Sequence, residues 1–352
     1  MSDHRSEYDQ RLRQSGTGTA SPAGTSALLD AAVVTAEESF DHPEFDDEGV
    51  STAPPVGSSW RLVGRRFVRH KVAVVSLIIL LFVGALATFA SVVSPYDFNP
   101  PLTSEVLDDA RQPPSWEHLF GTDKLGRDQF TRVLYALQKS LLIGLGVAFL
   151  SVVIGVSIGS MAGFYGGMTD SALMRFTDLV LVVPELAVLL IVAKNPDPSF
   201  FGVFHFPPAT TVPGMILILA ALGWMAIARI VRGEFLSLRE KEYVEAARAA
   251  GASGPRIIWR HLLPNAIGPI VVFATLEVGA AILAEATLSF LGAGIQLPEV
   301  SLGNLISDAE STVGTDLAYL IVFPGLTLFL IVLCVNFVGD GLRDALDPKA
   351  TS

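Results

Sequence analysis

Three carboxylates, Glu185, Glu277 and Glu285, stand inside long apolar stretches of this chain. A charge in such a place is costly unless it reaches water, a cation or a hydrogen-bond donor. Glu277 and Glu285 are eight positions apart, which is about 12 Å along a helix and on roughly the same side of it. Two uses stand open for these acids: lining a polar path that attracts ammonium or guanidinium groups, or hydrogen-bonding a neighbouring helix. A second charged group lies in FGTDKLGRD at 120–128, where Asp123 and Asp128 flank Arg127, with Gly121 and Gly126 in the same string. Its charges can tie a loop through charge-assisted hydrogen bonds or touch a delivered substrate. Hydrolytic chemistry has no apparatus, since no GxxxxGK[ST], HExxH or GxSxG string occurs. The one cysteine, Cys334, allows neither a disulfide framework nor a thiolate metal cluster. No catalytic residue and no metal site is expected, and the chain carries no P-loop for nucleotide hydrolysis of its own.

The elements that must hold these residues are membrane helices. Of 352 residues, 51% are hydrophobic and 17% charged, and the mean hydropathy is +0.50, whereas soluble domains carry about 25% charged residues. A spanning helix needs roughly 20 apolar residues to cross about 30 Å of hydrocarbon. Six runs qualify, at 72–94, 137–163, 177–194, 211–231, 266–292 and 317–338. The third is short and holds Asp178, Pro184 and Glu185, so a re-entrant segment is its alternative. The reading is an all-α membrane protein with six transmembrane helices. Arginines and lysines set its orientation: Arg61, Arg65, Arg66, Arg69 and Lys71 before the first run, and seven basic residues between Arg229 and Arg260, put both termini in the cytoplasm.

Residues 1–57 hold eleven acids against three arginines and read as a disordered acidic tail without the features of a signal peptide. That segment carries most of the net charge of −11, and the rest is nearly neutral, so no nucleic-acid partner is implied. Residues 58–71 read as an interfacial helix on the lipid surface. An external loop at 95–136, rich in proline, follows the first span, and 137–349 forms the remaining core. Gly155, Gly159 and Gly163 repeat every four residues in the second run, a stripe that lets helices pack closely.

The stretch at 239–265, REKEYVEAARAAGASGPRIIWRHLLPN, falls on the cytoplasmic side. Helix formers end at Gly251, suited to a left-handed cap. A second helix begins after Ser253 and must end before Pro264. Two short helices with a low-profile alanine surface result, fit to receive another chain or to rest on lipid headgroups.

Here a resemblance emerges. Glu245, Ala246, Ala247 and Gly251, followed by His261, Leu262, Leu263 and Pro264, resemble the EAA motif of ABC importer permeases, EAAxxxG and IxLP nine residues later. His261 departs from the motif's Ile, yet RHLLPN is similar to the form found in dipeptide and oligopeptide permeases. FGTDKLGRD at 120–128, EATLSFLGAG at 285–294 and GDGLRDALDP at 339–348 resemble three strings of the C-type inner-membrane subunit of the dipeptide, oligopeptide and nickel importers. Leu302 stands where that family has Trp. The resemblance implies a type I permease fold, with Glu245, Ala246, Ala247, Gly251, His261, Leu263 and Pro264 coupling it to ATPases. It implies a bacterial inner-membrane location and peptide import by alternating access. The implied partners are a homologous permease, two nucleotide-binding subunits or domains that bind ATP and Mg, and an external solute-binding protein. Nickel, haem or another small ligand is the alternative cargo. A self-contained secondary transporter is the alternative class, and it leaves the EAA-like loop unexplained.

Overall fold

The computed structural model describes residues 56–346, except 102, 194–198, 201–203, 206, 209 and 297. The tail expected at 1–57 lies outside the described residues but for its last two. The first helix, α1 (Val56–Arg69), stops at His70, whose Nδ1 accepts the Ala73 N–H at 3.1 Å and so caps α2 (Lys71–Thr88). Short turns α3 (Ala90–Val93) and α4 (Ser104–Asp108) lead to the long α5 (Gln129–Tyr165). The loop expected to extend to 136 thus ends at Asp128. Its carboxylate is an N-cap, with Oδ2 accepting the Thr131 N–H at 2.7 Å, which satisfies a donor that the first turn would leave unpaired.

The third apolar run departs from the expected continuous span. It folds as two helices, α6 (Gly167–Val182) and α7 (Glu185–Ala193). The break falls at Val183, extended at φ −71° and ψ 127°, because the ring of Pro184 excludes the helical region for the residue before it. At 1.5 Å per residue neither piece alone crosses about 30 Å of hydrocarbon. Five helices among the described residues are long and apolar enough to do so. Six continuous spans become five plus one broken helix. A two-residue antiparallel pair, β1 (Ser199–Phe200) and β2 (Phe204–His205), precedes α8 (Val212–Leu238).

After α8 come α9 (Glu242–Ala249) and α10 (Gly254–Ile257), then α11 (Leu263–Phe290), α12 (Leu302–Asp308), a 3₁₀ turn at Glu310–Thr312 and α13 (Tyr319–Leu346). The helix expected to end before Pro264 does not end there. Ile258–Leu262 widens into a π turn, with the Leu263 N–H bonded to the Ile258 carbonyl, and the chain stays helical from Gly254 to Phe290. Pro264, which has no N–H to donate, then falls in the first turn of α11, directly after the π turn.

α5 and α8 form the closest pair. Facing α8, a methyl at Gly155 would lie 2.8 Å from the Trp224 carbonyl oxygen and one at Gly163 2.8 Å from that of Arg232, so only hydrogen fits. α11 packs on α5, α8 and α13, and α13 on α2. Val133, Leu137, Ile282, Leu302 and Ile331 form the core between these elements. Leu302, in place of a bulkier tryptophan, is fully buried there.

Candidate functional site

The hairpin of α9 and α10 is built by one turn. Gly251 adopts φ +81° with nothing within 4 Å of a Cβ placed there. The Gly251 N–H bonds the Arg248 carbonyl at 2.9 Å and the Ala252 N–H the Ala247 carbonyl at 3.0 Å, the paired closure of a left-handed helix end. Ala247 and Ala252 meet beneath it, against a core that holds Val244, Ile257 and Leu262. That packing fixes which face is left over. Glu245, Ala246, Gly251 and Pro264 are exposed, Ala247, His261 and Leu263 are half-buried, and Trp259 is 70% exposed. Of the coupling residues read from sequence, all therefore sit on or beside one hairpin. Trp259 and Tyr243, also exposed, were not singled out from sequence; aromatic type at an unburied position of the same hairpin is the signal that marks them.

The external string forms a knot of different wiring from that expected. Asp123 Oδ2 accepts from Arg127 Nε at 2.8 Å and from Arg132 at 2.8 Å, while Oδ1 accepts the N–H groups of Leu125 and Arg127 at 2.8 and 3.0 Å. Asp128 does not pair with Arg127. It meets His118 Nδ1 at 2.9 Å and Thr131 Oγ1 at 2.7 Å, all buried. Gly121 and Gly126 hold φ +73° and +75°, and a side chain at either would strike backbone. The Tyr319 hydroxyl lies 2.8 and 2.9 Å from the Gln112 and Thr122 carbonyls and ties the knot to α13. Arg132 and His118 are the partners that sequence reasoning missed, because nothing local in their spacing joins them to the string. Arg127 and Arg132 thus share Asp123 and His118 meets Asp128, while Arg132 Nε is buried with no hydrogen-bond partner among the described residues. Tyr96, whose ring is tilted 33° to that of His118 at 4.8 Å between centroids, has its hydroxyl pKa raised, first by burial and then by the charge of Asp128.

The three membrane acids separate. Glu285 is fully buried, accepting hydrogen bonds from Ser289 Oγ at 2.6 Å and Ser140 Oγ at 3.3 Å, with Ser301 bonded on to Ser289. These bonds link α11 to α5. Glu185 and Glu277, from α7 and α11, line one cavity of about 250 Å³ together with Leu181, Leu219 and Gly223. No described residue pairs with either carboxylate. Two ion pairs join α6 to α8 nearby: Asp170 with Arg232, at 2.5 and 2.7 Å, and Asp178 with Arg229. The hydrogen bond from Arg232 holds the Asp170 carboxyl below its ordinary pKa.

A mostly helical membrane bundle with an uncovered two-helix hairpin and an acid-lined cavity between helices describes a transporter component. The chain matches the family described as binding-protein-dependent transport system inner membrane component over residues 155–352. It also matches the N-terminal TM domain of oligopeptide transport permease C over residues 58–114. The chain belongs to this family of ABC importer permeases, multi-pass proteins of the inner membrane. It is similar to the oligopeptide transport system permease protein OppC of Mycobacterium tuberculosis, 43% identical over 298 residues covering 83% of this chain and 95% of that one. It is similar to the dipeptide transport system permease protein DppC of Bacillus subtilis, 40% identical over 306 residues covering 87% and 91%. Among solved structures it resembles the inward-facing methionine ABC transporter MetNI, with a TM-score of 0.50 at 20% identity over 62% of this chain and 97% of that one. That likeness concerns the fold alone.

Proposed function

We propose that this chain is the membrane-spanning permease subunit of an ATP-driven peptide importer, working by alternating access in the bacterial cytoplasmic membrane with both termini in the cytoplasm. The observation that carries the coupling role is the α9–α10 hairpin, packed through Val244 and Ile257 and bare over Glu245, Ala246 and Gly251. A surface of alanine and glycine lets a second chain approach closely, and Glu245 offers it a charge to pair. One of two nucleotide-binding subunits or domains, holding ATP and Mg, would dock there and pull the hairpin as the pair closes. The continuous helix from Gly254 to Phe290 would carry that movement to Glu277. A homologous second permease would complete the pathway and an external solute-binding protein would deliver cargo. Peptide cargo is supported by the similarity to OppC and DppC at about 40% identity. The inside placement of the hairpin is supported by its basic residues, Arg239, Lys241, Arg248, Arg256 and Arg260.

The test is uptake and ATPase activity of the assembled complex in proteoliposomes. Glu245→Lys reverses the docking charge, and Gly251→Asp adds bulk in open space with only the strain of a left-handed residue, about 1 kcal/mol. Both should insert normally and lose transport together with cargo-stimulated ATP hydrolysis. Unchanged coupling in both variants would remove the hairpin from the mechanism.

A further inference from the structure

The cavity lined by Glu185 and Glu277 has an uneven chemistry. Apart from the two carboxylates its walls are aliphatic, methionine or glycine, and neither acid has a cation or a hydrogen-bond donor among the described residues. The nearest arginines on α8 are engaged elsewhere, Arg229 by Asp178 and Arg232 by Asp170. A third polar atom converges on the spot. Ser151 of α5 is fully buried, and its Oγ has no hydrogen-bond partner among the described residues. A Cβ at Gly223 would collide with Glu277 Oε1 and lie 2.7 Å from that Ser151 Oγ. The bare Cα of Gly223 therefore keeps a small polar cradle open near the middle of three helices.

An unpaired acid at this depth calls for a positive partner. Two carboxylates and a hydroxyl supply at most five oxygens, short of the six or more that a hard divalent cation takes unless water completes its shell, and they suit an ammonium, which offers three donors from one point. Drug-sized ligands occupy about 300–1,000 Å³, so about 250 Å³ receives one residue of a peptide rather than its whole length. Resting on the peptide-import reading above, we propose that this cavity binds a single primary ammonium group of the cargo, with Glu277 and Glu185 as the counter-charges and Ser151 as an additional acceptor. The group comes from the peptide's N-terminus or from a lysine side chain.

The intact complex, reconstituted with its binding protein, separates these. Four tripeptides are compared at saturating load: Ala-Ala-Ala, Ala-Lys-Ala and the N-acetylated form of each. In Glu277→Gln, uptake of peptides carrying the recognised ammonium should fall about ten-fold relative to N-acetyl-Ala-Ala-Ala, the loss of one close charge pair. A fall confined to free N-termini identifies the terminal amine, and one confined to lysine peptides identifies the side chain. Equal uptake changes for all four peptides, or none, overturn the proposal. If the wild-type complex moves no peptide at all, the import reading itself fails. Should Glu277→Gln not assemble, Ala280→Cys in a Cys334→Ala background tests the same cavity with both carboxylates in place. A water-soluble thiol reagent should label it, Ala-Lys-Ala or Ala-Ala-Ala should protect it, and N-acetyl-Ala-Ala-Ala should not. Lack of labelling, or protection by every peptide alike, overturns the proposal.

Discussion

Asp170 and Arg232 are 62 positions apart, and their contact is the kind of pairing that decides where α6 lies. Asp170 receives both guanidinium hydrogen bonds while keeping partial exposure, so the pair is worth about 1 kcal/mol rather than the larger figure for a desolvated one. Its carboxyl pKa is depressed, chiefly by that hydrogen bond. The stabilisation is therefore complete above the unfolded pKa and is lost as pH falls through the lower folded value. Asp170→Asn should lower the melting temperature of the purified complex by a few degrees, with the difference from wild type constant between about pH 8 and pH 5. A difference that already disappears near neutrality would show that another group governs the contact. At the same scale, the sequence exposes the acids but not their fates: Glu277 and Glu285 differ because hydroxyls of Ser140 and Ser289 reach only the latter.

Among the elements, α5 and α8 depend on glycine more than on any large side chain. At Gly159 a Cβ would run into the Ala228 carbonyl and stand 2.9 Å from the Val231 side chain. Backbone cannot yield as a flexible side chain can, so Gly159→Val should destabilise the bundle by about 1–3 kcal/mol. Gly233 on α8, with open space about it, is the control, since Gly233→Ala should be neutral or slightly stabilising through helix propensity. Thermal unfolding of the solubilised complex compares the two, and equal melting temperatures would mean that the α5–α8 seam relaxes freely. The four-residue glycine spacing made this stripe legible in advance. What it faces was not legible, because a small-residue repeat specifies a close approach without naming the partner helix.

For the molecule as a whole, the described bundle from α1 to α13 carries the family's matched strings within 56–346 apart from the last residues of GDGLRDALDP. The tail at 1–55 is acidic and poor in large apolar residues, and the family's matched strings all lie outside it. Deleting residues 2–55 should leave assembly and uptake near wild-type levels. Loss of the complex on gel filtration after that deletion would instead make the tail a docking element.

Hydropathy determined by itself that the chain is a helical protein of several membrane spans, because the length of an apolar run is a short-range property, and the resemblance of four short strings to those of importer permeases pointed to the class. The cap at Gly251 and the small-residue stripe were readable for the same reason. Tertiary structure alone decided the rest. It broke the third run at Pro184, absorbed Pro264 through a π turn into one continuous helix, gave Arg132 and His118 to the external knot, and divided Glu277 from Glu285. Each of those outcomes depends on which side chains from distant parts of the chain arrive at one place. A carboxylate's role follows from the donors packed around it, and residue spacing along a single helix cannot specify them.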